Sequence, residues 1–79
     1  MTSLIIVNIG NMFLTTGMIN KILEKHADDI NASVDYGNEK SENKNEYMTV
    51  LDIKNSSKAL EIANQLKNLQ NVRVEIIEI

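Results

Sequence analysis

Thr15, Thr16 and Gly17 stand together just ahead of a helical pattern, and no other stretch of the chain gathers as many groups suited to holding a ligand. A helix N-terminus offers free backbone N–H donors and the positive end of its dipole, which suit a carboxylate or another anion. A glycine at that point lets a ligand approach the backbone closely, and two hydroxyls add donors. The start of the helix has two readings. Thr15 or Thr16 caps a helix opening near Gly17, or Asn11 caps one that opens earlier and takes in Phe13 and Leu14. In the second case Gly10 and Asn11 offer the same chemistry. Without a ligand, all of these are ordinary caps and turns.

The remaining candidates for chemistry are weaker. The chain has one His and no Cys, so thiolate metal sites and disulfides are excluded. His26 lies on or beside an apolar stripe, where a lone His is expected to be peripheral packing rather than a base. Asp28 and Asp29 follow it, but residues two apart do not share a helix face. The trio reads as a solvated helix end, and no nucleophile, carboxylate pair or ligand cluster converges. No catalytic residue, metal or cofactor is expected.

The totals narrow the class further. Seventy-nine residues with eleven acidic and eight basic side chains give a net charge of −3. The chain is one domain, 1–79, near the lower size limit for folding alone, which favours oligomerisation as a stabiliser. Its Lys and Arg are scattered and its aromatics few, which argues against nucleic acid. The uncharged first twenty residues contain Asn8, Gly10, Asn11, Thr15, Thr16 and Gly17. That is too polar for a spanning helix of about 20 apolar residues, so no membrane insertion is expected. The lack of Cys fits a reducing cytosol, and a cytoplasmic location is the expectation.

The elements that position these residues follow from periodicity. Ser3 to Ile9 is a β-branched apolar run, expected to be a strand buried on both faces. Met18, Ile19, Ile22, Leu23 and Ile30 recur at helical spacing, with Lys21, Glu24, Lys25 and Asp28 opposite. The spacing predicts a helix packed through Met18, Ile22 and Leu23. Asn31 to Tyr36 is a second strand, GNEKSENKNE a mobile hairpin loop, and Tyr47 to Ile53 a third strand. Asn55-Ser56-Ser57 caps a helix with its stripe at Ala59, Leu60, Ile62, Ala63, Leu66 and Leu69; VRVEIIEI is the fourth strand. The order βαββαβ predicts an α+β, ferredoxin-like fold: a four-stranded antiparallel sheet with two helices on one face.

GMINKILEKHADDINASVDYG resembles the first helix and second strand of ACT domains, small-molecule-sensing modules. Gly17 matches the glycine of the family pattern, Met18 and Ile19 the apolar pair that follows it, and Ile30-Asn31 the Ile-Asn that opens strand 2. Thr15 and Thr16 stand where the family has an acidic residue and a Pro. The chain is similar as well to short stand-alone regulators associated with iron-only hydrogenase systems, and to the cytosolic C-terminal domain of MgtC-type bacterial membrane proteins. The resemblance implies a non-catalytic regulatory module with a ligand site at Thr15, Thr16, Gly17, Met18 and Asn31, against a partner chain. The alternative is an interaction or oligomerisation domain of a larger protein with no ligand of its own. A homodimer is expected, because VRVEIIEI would be an apolar edge strand open to pairing.

Overall fold

The computed structural model describes residues 1–40 and 44–79. β1 (Thr2–Asn8) leads into α1 (Met12–Glu24), and a 3-10 turn (Ala27–Asp29) leads on to β2 (Ile30–Gly37). β3 (Tyr47–Ile53), α2 (Ser56–Lys67) and β4 (Val72–Glu78) follow. The strands form one antiparallel sheet in the order β2-β3-β1-β4, with α1 and α2 packed together on one side of it. This is the expected α+β, ferredoxin-like arrangement. β4 is an edge strand, as its place in the order requires, and β2 is the other edge. The expected hairpin loop falls partly on residues 41–43, which lie outside the described residues. Beside them, the Asn38 side-chain amide donates to the Lys44 carbonyl at 2.8 Å.

Along β1 the side chains alternate. Thr2, Leu4, Ile6 and Asn8 are buried, while Ser3, Ile5 and Val7 are only half-buried. The expectation of burial on both faces is therefore corrected: both helical crossovers lie on one side of the sheet and leave the other face open. The core is built where the helices sit. Leu4, Ile6, Leu51 and Ile53 from the central strands meet Ala59, Ile62, Ala63 and Leu66 of α2, and α1 adds Ile19. α2 lies across β4, β1 and β3, whereas α1 rests on β1 and α2. β2 falls outside the main footprint of either helix, and its central residues are exposed.

The start of α1 is settled by hydrogen bonds. Asn11 Oδ1 accepts from the backbone N–H groups of Phe13 and Leu14, each at 2.9 Å, so the helix opens at Met12. Gly17 is then mid-helix. At 100° per residue, Thr15, Ile19, Ile22, Leu23 and His26 form the inward stripe. Met18 lies 100° round from Ile19 and is 51% exposed, so the expected packing through Met18 is corrected. Gly10 has a separate reason to be glycine. A Cβ there would sit 2.7 Å from Asn71 Cβ and 2.9 Å from Thr15 Oγ1. It is the point where the β1–α1 and α2–β4 connections touch. Ile9 N–H donates across the same contact to the Asn71 carbonyl at 2.8 Å, and Asn71 takes a positive φ of 62° to present it.

Candidate functional site

Because α1 is held over β1 and not over β2, a cleft opens between its flank and the β2–β3 half of the sheet. Its volume is about 460 Å³. The wall is the flank of α1 next to the core stripe: Met12, Phe13, Thr16, Gly17, Asn20 and Leu23. The floor is polar, with Ser33 and Asp35 from β2, Thr49 and Tyr47 from β3, and Asn8 at the end of β1. Strand register explains why these side chains share a face. Ser33 pairs with Leu51 and Asp35 with Thr49, and Leu51 points into the helix-side core.

Asn8 organises the closed end. It is 3% exposed, its side-chain amide donates to Thr16 Oγ1 at 3.2 Å, and its Oδ1 accepts from Gly10 N–H at 2.8 Å. The first bond ties α1 to β1, and together the two satisfy a polar side chain that burial would otherwise penalise. Among the described residues, Asp35 is the one charged residue lining the cleft. Its Oδ1 accepts from Gly37 N–H at 3.0 Å, which holds the carboxylate at the strand end, where Gly37 turns with φ 58°. Gly17 is on the wall, and a Cβ built on it meets nothing within 4 Å.

The sequence-derived site divides between several places. Thr16 and Gly17 line the cleft. Thr15 is buried beneath them near Gly10. Met18 faces outward on the other flank of α1, and Asn31 is exposed at the start of β2; neither lines the cleft. Of the two helix starts the sequence allows, the one capped by Asn11 holds, so Gly17 is not at the N-terminus, and the N–H groups of Phe13 and Leu14 are already engaged by Asn11. The anion-binding donors anticipated there are thus used by the chain itself. The cleft also lies toward β2, on the far side of the sheet from β4, so a partner paired along β4 would not reach it. Sequence reasoning missed Asn8, Ser33, Asp35 and Thr49. Alternation within the second and third strands was the signal that could have placed Ser33, Asp35 and Thr49 on one face.

His26 also differs from expectation. Its side chain is 11% exposed, its Nε2 shares a 2.9 Å hydrogen bond with Gln65 Oε1, and its Nδ1 lies 3.9 Å from Glu61. It ties the end of α1 to α2 and stands away from the cleft. At the opposite end, Ser56 at the start of α2 hydrogen-bonds Glu78 of β4, with Thr2 beside both. Among the described residues no three His, Asp or Glu side chains come together as metal ligands.

No protein-family model matches the chain, and no curated protein matches it in sequence. Among solved structures it is similar to the uncharacterized protein TM1266 from Thermotoga maritima. The two share 19% identity with a TM-score of 0.78 over 96% of this chain and 91% of the other. At that identity the likeness speaks for the fold: a small βαββαβ domain. No helix among the described residues is long and apolar enough to cross a membrane.

Proposed function

We propose that this chain is a non-catalytic regulatory module, ACT-like in kind, that dimerises and senses a small, amino-acid-like ligand in the cleft between α1 and the β2–β3 half of the sheet. The cleft carries the reading. Its volume of about 460 Å³ falls within the roughly 300–1,000 Å³ of small-molecule sites, which typically combine an apolar wall with a few polar groups. Met12, Phe13 and Leu23 supply the wall, and Asp35 gives an amino group a carboxylate partner. Asp35 thereby stands in, from β2, for the acidic residue that is missing ahead of Gly17. Among the described residues the cleft holds no Lys or Arg, which favours a neutral or cationic ligand over an anion. Gly17 adds support. A mid-helix glycine costs about 1 kcal/mol relative to alanine, and here open space removes any packing reason for it.

A ligand that binds only the folded state raises the melting temperature. At a hundred times its Kd it contributes about 2.7 kcal/mol, which for a domain of this size means roughly 10 °C or more. Screening amino acids and simple amines by thermal shift should find such a ligand. Asp35→Asn should abolish the shift while melting normally on its own. A shift that survives both Asp35→Asn and Gly17→Val at unchanged affinity would move the site elsewhere.

A second reading has its own observation. Phe13 and Leu14 are 82% and 72% exposed at the head of α1, with Met18 one turn on, a cost in water that a docking partner would remove. This favours an interaction domain of a larger protein, such as the cytosolic part of a bacterial membrane protein. Leu14→Ser with Met18→Ser separates the two readings, since neither residue lines the cleft: a docking role is lost, while ligand binding is unchanged.

A further inference from the structure

We propose that a second copy of this chain covers the sheet face opposite the helices, each copy setting its Arg73 against the other's Glu75. This rests on the dimer half of the reading above and is independent of the ligand.

Two rows of the open face have the wrong composition for water, whereas the third, Ala32, Asp52, Ser3 and Ile77, is partly polar. An antiparallel sheet covered on one side normally alternates apolar-in with polar-out. Here the register places Val34, Val50 and Ile5 in one row across the open face, and Met48 and Val7 in the next. Val34 is 48% exposed and Ile77, further along β4, is 38% exposed. No element of the described chain covers this surface. The same rows end on β4 in charges: Ile5 pairs with Glu75, and Val7 with Arg73.

These two rows are complementary to each other, and the Glu46 carboxylate that the same operation sets opposite the partner's Asp52 is already paired with Arg73. A two-fold axis lying between two facing sheets, crossing the strands midway between the rows, exchanges the rows. Ile5 then meets the partner's Val7, Val50 the partner's Met48, and Glu75 the partner's Arg73, with every contact made twice, as a two-fold interface requires. Arg73 already donates to Glu46 at 3.1 Å, but a guanidinium has five N–H donors and keeps others for a second carboxylate. Glu75 has no ion-pair or hydrogen-bond partner among the described residues. The area agrees. Four strands about 4.8 Å apart and seven residues of about 3.4 Å each give roughly 450 Å² in plan. With side-chain relief, a pair would bury on the order of 1,000–1,200 Å², where specific interfaces begin. A broad twisted face suits another sheet packed on it better than a peptide, which needs an edge or a groove.

Sedimentation equilibrium of the intact chain is the test. The native protein should be dimeric at tens of micromolar. Val50→Lys, which puts a charge at the centre of the face, should raise the dissociation constant at least about 30-fold, with circular dichroism unchanged. Should that variant not fold, the solvent-side residues of β4 give the same answer. Glu75→Arg alone should weaken the dimer about tenfold, and the swap R73E/E75R should restore it. A native protein that stays monomeric at hundreds of micromolar overturns both this proposal and the dimer reading, leaving the ligand cleft untouched. A native dimer indifferent to a folded Val50→Lys, or to Glu75→Arg, overturns this face alone and directs attention to the β4 edge.

Discussion

His26 shows how far one side chain's role depends on what lies across from it. A lone His beside an apolar stripe reads as peripheral, which predicts a cost under about 1 kcal/mol for its replacement by Ala. The residue facing it is 39 positions away in sequence: Gln65 of α2, hydrogen-bonded at 2.9 Å. No periodicity within the first helix could reveal it. Removing one partner of a part-buried hydrogen bond costs about 1–2 kcal/mol. An alanine scan by chemical denaturation should therefore rank Ile19→Ala first, at about 2–4 kcal/mol, because Ile19 is the α1 residue in the core. Ile22→Ala and His26→Ala should follow, and half-exposed Met18 should matter least. A double-mutant cycle of His26 and Gln65 should return a coupling of at least about 0.5 kcal/mol. Additivity within error would mean that the hydrogen bond contributes nothing.

At the scale of elements, the strands and α2 were legible because their signals are local. The period-two alternation of Tyr47 to Ile53 and the Asn55 cap each specify their own segment, and both appear at the expected place. The start of α1 was not legible, because Asn11, Thr15 and Thr16 are all competent caps and the choice between them is made by packing. Thr15 is drawn into the buried stripe and Thr16 is held by Asn8, which leaves Asn11 as the cap. The site inherited that ambiguity. Thr16 and Gly17 line the cleft, but its opposite wall depends on where α1 lies relative to β2, a tertiary fact that no single segment encodes. Asn11→Ala should cost about 1 kcal/mol and lower the melting temperature by roughly 4–8 °C in a domain of this size. Thr16→Val, which removes the Asn8 partner, should leave the start of the helix in place by amide chemical shifts.

At the scale of the whole molecule, the protein is an unevenly clad sheet. α2 covers β4 and the centre, α1 covers β1, and β2 has β3 as its main support. That single asymmetry creates the cleft and leaves one edge strand thinly supported, while the far face of the same sheet keeps its apolar rows unclad. Dimer pairing on that face and a ligand in the cleft would stabilise different parts of the molecule.

The thin support of β2 carries over into time. A strand bound by one ladder and little apolar contact can detach without unfolding the rest, so its amides should exchange with deuterium through a local opening. Those of β1, bonded on both sides and buried in the core, should exchange only through global unfolding. Hydrogen exchange should thus find β2 amides opening at a free energy several kcal/mol below that of β1. A cleft ligand braced on Ser33 and Asp35 should slow exchange in β2 first, so that occupancy is registered as the latching of one edge strand with the core unchanged. Equal protection of β1 and β2 in the free protein would show that the sheet opens only as a single unit.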